Sequence, residues 1–111
     1  MRITTQDYNS ITVVELGGEF TTEFTSLFDE SVRNVLSRGQ TGIVLDMSNV
    51  PCIDSAALET LLALRDRCTE SGLALKLAAL EENCIRIFEI TRLASQFDTY
   101  DELAQAVKSF A

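Results

Sequence analysis

The chain contains no histidine and no tryptophan, and its only proline is Pro51. Without histidine there is no Ser-His-Asp or Cys-His catalysis, and the commonest metal ligand is missing. Any enzyme built from this chain would have to work with carboxylates or lysine alone. There is no Gly-rich phosphate loop, so nucleotide hydrolysis by the chain itself is not expected. The cysteines are three, Cys52, Cys68 and Cys84. Their odd number and the lack of Cys-x-x-Cys spacing argue against a disulfide framework, a redox motif or a zinc site. Cys68 and Cys84 sit in apolar patterns and read as small core residues with free thiols, as suits a reducing compartment. Long apolar runs are also missing. None approaches the roughly 20 residues of a membrane span. The opening MRITTQDYNS has no apolar stretch after Arg2, so it does not read as a signal peptide. A cytoplasmic protein without membrane insertion is expected, with no cofactor and no metal.

Basic residues are scarce. Nine Lys and Arg stand against 17 Asp and Glu, for a net charge of -8, and they form no run or stripe. An acidic surface repels nucleic acid and anionic lipid. The expected partner is therefore a protein with a basic docking face, and no nucleic acid is expected. What the chain does have is apolar content, 46% over 111 residues. That suffices for one domain with one core, here residues 1–111. No linker, repeat or low-complexity tract divides it.

Two runs rich in Ile, Val and Thr, Met1–Tyr8 and Ile11–Leu16, predict strands joined in a hairpin by Asn9-Ser10. Helical spacing of Phe24, Leu27, Phe28, Val32, Val35 and Leu36 predicts an amphipathic helix over Thr22–Arg38, stopped by Gly39. "GIVLDM", Gly42–Met47, is short, continuously apolar and β-branched, as in a strand covered on both faces. A second helix is predicted from Ser55 to Ser71, with Ala57, Leu58, Leu61, Leu62, Leu64 and Cys68 inward. Leu73–Leu80 follows as a strand. Asn83 suits the cap of a helix reaching Thr91, buried through Ile85 and Phe88. A short edge strand over Phe97–Tyr100 and a last helix opened by Asp101 complete the chain. The order implies an α/β fold with a mixed, mostly parallel sheet, an N-terminal β-hairpin and about four helices. The turn before Ser55 then lies at the C-terminal edge of the sheet, where such folds place their sites.

That turn reads "NVPCIDSAALETLL". Pro51 stiffens the approach and keeps Val50 extended. Ser55 in this position accounts for itself as a helix cap, which stabilises a helix by about 1 kcal/mol. Asp54 is equally placed to cap and to favour the helix dipole. A functional reading rests on the apolar setting of Val50, Cys52, Ile53, Ala56, Ala57 and Leu58, which suggests a docking surface around the hydroxyl. Phosphate on Ser55 brings a charge of about -1.5 to -2. The free amides of the helix end would tolerate it, whereas a partner packed on Ala56 and Ala57 would not. Phe20, Phe24 and Phe28 lie four apart and read as core, with Phe20 and Thr21-Thr22 at the edge of that surface. Asp46 reads as a turn residue bonding local amides, and Glu81-Glu82 as a solvated helix start.

Three stretches together resemble the STAS domain family, and within it the stand-alone anti-sigma factor antagonists. "GGEFTTEFTSLFDESV" stands where that family has its Gly-Glu-Leu-rich lead into the first helix. "GIVLDMSNVPCIDSAALETLLAL" matches its central strand, turn and Ile-Asp-Ser-Ser-Gly-Leu signature. "IFEITRLASQF" is similar to the later segment where a helix ends ahead of a short strand. The resemblance covers nearly the whole chain, and its central motif is the specific part. It implies a binding module, not an enzyme. In its unphosphorylated form the module binds a kinase-like anti-sigma factor and frees sigma factor. The kinase phosphorylates the serine after the motif's aspartate, Ser55 here, and a PP2C-type phosphatase reverses it. Asp54, Ser55, Ala56, Ala57 and Leu58 are then the expected partner-binding residues. The chain departs from the signature by carrying Ala56-Ala57 where the family often has Ser-Gly. A structural role, as a subunit of a lipid-transport ATPase or a stress-signalling scaffold, is the alternative, with Ser55 only a cap.

Overall fold

A computed structural model describes residues 1–110. Strand β1 (Arg2–Tyr8) and strand β2 (Ile11–Gly17) form the expected antiparallel hairpin. Asn9 takes the left-handed φ of 57° at its two-residue turn, a conformation that Asn tolerates better than most residues. Next come helix α1 (Thr25–Leu36), β3 (Gly42–Asn49), α2 (Ser55–Glu70), β4 (Ala74–Ala78), α3 (Glu82–Ile90), β5 (Asp98–Tyr100) and α4 (Leu103–Lys108). The sheet order is β1-β2-β3-β4-β5, and every pairing after the hairpin is parallel.

The two faces of the sheet are covered unequally. Ile43, Leu45 and Met47 of β3 pack with Phe28, Val32 and Val35 of α1, Leu61 and Leu64 of α2, and Cys84 and Phe88 of α3. On the other face Val44, Ile11, Val13 and Ala78 meet Ala106 of the short α4. This two-sided cover is why β3 reads as one continuous apolar run. Close approach decides Gly42, because a Cβ there would overlap the Phe110 ring. The Lys76 ammonium lies 4.4 Å from the centre of that ring and 2.6 Å from Ser109 Oγ, which pins α4 to β4.

Several boundaries differ from the pattern-based ones. The first helix begins as a single tight turn, Thr22–Phe24, before the α-helix proper. Leu27 is 44% exposed, not buried. Helix α3 has Glu81, not Asn83, at its N-cap position, with no side-chain bond to the helix, and it buries Cys84 with Phe88 while Ile85 is 43% exposed. The burial stripe is thus set one residue earlier than expected, and Asn83 reaches the Pro51 carbonyl at 3.5 Å. Helix α4 starts after Glu102, whose amide bonds Gln105 Oε1 at 3.2 Å.

Candidate functional site

Strand β3 ends at Asn49, and the chain crosses to α2 through Val50–Asp54 at the C-terminal edge of the sheet. A second segment laces this crossing in place. Gly18 N–H donates to the Asn49 carbonyl at 2.9 Å, and Phe20 N–H to the Cys52 carbonyl at 3.1 Å. Asp54 N–H returns a bond to the Phe20 carbonyl at 3.1 Å. Phe20 itself is buried against Phe28, with ring centres 4.9 Å apart, so the loop rests on an aromatic base within the core. The sequence reading of Phe20 as core holds, and Thr22 stands exposed at the edge of this turn.

The helix cap is Asp54. Its Oδ1 accepts the Ala57 N–H at 2.9 Å, and its carbonyl accepts the first helical bond from Leu58 N–H at 3.0 Å. Its Oδ2 accepts both the N–H and the hydroxyl of Thr22, at 2.8 and 3.0 Å. These bonds hold its carboxyl below the ordinary carboxylate range, the Ala57 amide most and the Thr22 amide next, because each favours the charged form.

Ser55 follows as the first residue of α2, and it is exposed. With Asp54 capping, its hydroxyl is not needed by the helix, and it has no hydrogen-bond partner among the described residues. Ala56 is half-buried beside it. Ala57 and Leu58 turn inward and are buried, because helical spacing puts them on the stripe that continues through Leu61 and Leu64. Val50 and Ile53 are core residues too. The accessible surface around Ser55 is therefore smaller and more polar than the apolar sequence suggested: Thr22, Pro51, Asp54, Ala56 and Glu59. Glu19 stands beside the half-buried Cys52, whose thiol is pushed up by burial first and by Glu19 next.

At this helix end Asp54 takes the Ala57 amide, so an anion there would meet a carboxylate beside the remaining first-turn amides. Among the described residues no three Cys, Asp or Glu side chains converge as metal ligands would, and no helix is long and apolar enough to cross a membrane.

A model of the STAS domain matches residues 2–106. The chain belongs to the STAS domain family. Solved structures agree with its fold. An anti-sigma factor antagonist from Mycobacterium paratuberculosis is 20% identical over 97% of this chain and 92% of that one, with a TM-score of 0.87. The unphosphorylated form of the anti-sigma factor antagonist SpoIIAA is 12% identical over 98% and 96%, with a TM-score of 0.83. The phosphorylated form of the Bacillus cell fate determinant SpoIIAA is 12% identical over 99% and 100%, with a TM-score of 0.76. At such identities the likeness is one of fold, and the STAS domain described here carries its exposed serine at the turn its family model spans.

Proposed function

We propose that this STAS domain is an anti-sigma factor antagonist of a partner-switching pathway, acting as a binding module and not as an enzyme. Its unphosphorylated form binds a kinase-like anti-sigma factor through the surface of Asp54, Ser55 and Ala56, and frees a sigma factor. Phosphorylation of Ser55 by that kinase ends the binding, and a PP2C-type phosphatase restores it. Ala57 and Leu58 contribute by seating the helix, not by touching the partner.

The observation that carries this reading is the division of labour at the start of α2. Asp54 does the capping, so Ser55 keeps an exposed hydroxyl whose modification does not unseat the helix. A phosphate there adds about -1.5 to -2 charges beside Asp54 and Glu59. Ser55 is exposed, so that charge stands on the surface, where an approaching partner must desolvate it. The named likenesses support the reading, since SpoIIAA has been solved both phosphorylated and unphosphorylated.

The test is reconstitution. Wild-type, Ser55→Ala and Ser55→Asp chains are used as baits in the native host, and the captured kinase-like protein is then purified and assayed with ATP. Binding by wild type and Ser55→Ala, loss with Ser55→Asp, and phosphate found on Ser55 support the switch. A transporter subunit or large scaffold held equally by all three baits would overturn it and leave Ser55 without a regulatory role.

A further inference from the structure

The same sheet edge holds a second feature that the Ser55 turn does not use. A cavity of about 250 Å³ opens between α3 and the end of β5. Leu80, Ile85 and Phe88 make an apolar wall, Thr99 and Tyr100 close it at the end of β5, and Glu89 and Asp101 supply carboxylates. No Lys or Arg lines it, and neither carboxylate is in an ion pair among the described residues. Its walls are fixed. Ala79 holds a left-handed φ of 58° and donates its N–H to the Tyr100 carbonyl at 2.9 Å, so the chain leaves β4 abruptly and Leu80 lines the opening. Phe88 is braced by Phe97, with ring centres 5.4 Å apart. Left-handed backbone at a non-glycine residue costs free energy and persists only where its surroundings enforce it.

An apolar slot with two unpaired carboxylates is complementary to a side chain with a long aliphatic stem and a cationic head. Arginine fits this better than lysine, because its guanidinium is weakly hydrated and bonds carboxylates in a fork. We propose that this pocket receives an arginine side chain of the protein partner, its stem against Leu80, Ile85 and Phe88 and its guanidinium facing Glu89 and Asp101. It is the second contact of the docking surface, and to that extent the inference rests on the proposed function. The start of α3 joins the two places directly, since Cys84 Sγ–H donates to the Val50 carbonyl at 3.4 Å.

The experiment titrates the isotope-labelled full chain with acetyl-Gly-Arg-Gly-amide and follows backbone amide shifts. Saturable shifts confined to Leu80, residues 85–89 and residues 99–101 are expected. The peptide with neutral citrulline in place of arginine should bind about tenfold more weakly, and Glu89→Gln/Asp101→Asn should bring the arginine peptide down to the citrulline level. Ser55→Asp should leave the peptide's affinity unchanged, so failure of the pocket and failure of the Ser55 switch are told apart. Diffuse shifts, equal binding of the citrulline peptide, or full binding by the doubly neutralised variant would overturn the inference. Free ethylguanidinium binding about tenfold tighter than the peptide would also overturn it, in favour of a small cation.

Discussion

The Asp54 carboxylate accepts the Thr22 amide at 2.8 Å across 32 residues of chain, and with its other oxygen it caps α2. One side chain thus fixes both the start of the Ser55 helix and the segment laced beside it. Asp54→Ala is expected to lower the urea midpoint of unfolding, with Asp54→Asn falling between it and wild type, because Asn keeps an acceptor oxygen but not the charge. Amide exchange should quicken at Thr22 and Ala57 first. Faster exchange elsewhere with these two unchanged would contradict the role.

The same bonds give this contribution a pH dependence of definite sign. Folding depresses the Asp54 pKa, so the folded state gives up that proton more readily than the unfolded chain. The stabilisation is complete above the ordinary carboxylate value and is lost as pH falls through the lower folded one. The difference in thermal midpoint between wild type and Asp54→Asn should therefore shrink as pH is lowered from about 7 to about 2. A difference that holds constant over that range would mean that charge has no part in it.

Most of this fold is legible in the sequence because its elements are set by local patterns. The Thr- and Val-containing runs on either side of Asn9-Ser10, the β-branched run before Asp46 and the leucine spacing of α2 each name an element unaided. What escapes is what depends on contacts far apart in sequence. Nothing in "TTEFTSLF" announces that Thr22 will be tied to Asp54. Cys84 and Phe88 share the buried stripe of α3, as the reading of Cys84 as core anticipates, while Ile85 falls outside it. At the site, the choice between Asp54 and Ser55 as cap was open by pattern. The stretch from Val50 to Leu58 looked like an apolar surface because composition cannot say which side of a helix is inward. The pocket beside α3 left no signal at all, since its walls come from four separate segments.

Ser55 and Ala57, two positions apart, should respond to substitution in opposite ways. Ser55 is exposed and its hydroxyl is uncommitted, so Ser55→Ala should change stability by no more than about 0.5 kcal/mol. Ala57 has no accessible surface. Ala57→Asp would bury a carboxylate with no partner and should cost several kcal/mol, about enough to unfold a domain of this size. Chemical denaturation of both variants measures the contrast. A stable Ala57→Asp chain would show that the α2 start lies looser on the core than described.

Gly42 and Phe110 form a pair that can be tested as a pair. A methyl on Gly42 must displace the Phe110 ring, which then also loses the Lys76 ammonium above it. Gly42→Ala is expected to cost about 1–3 kcal/mol by overpacking. In the Phe110→Ala background the same change should cost little, since the obstructing ring is gone. Equal costs in the two backgrounds would place the penalty in the strand and not in the ring contact.

The three thiols should separate by reactivity, and the order follows from where each sits. Burial pushes Cys68 and Cys84 up to about 11, so at pH near 8 each stays a thiol in the folded state, and the thiolate is the attacking form. Cys52 is half-buried at the crossing and is also raised, by burial and then by Glu19. Iodoacetamide should therefore modify Cys52 first, yet more slowly than in urea-unfolded protein, while Cys68 and Cys84 react only as the fold opens. Peptide mass mapping over time reads the three rates separately. Raised thiol values also mean that this part of the stability is complete below about pH 8.5 and is lost as pH climbs towards the folded values. If Cys84 reacted as fast as Cys52, helix α3 would have to lift away from Val50 in the folded state, and the cavity beside it would lose its wall.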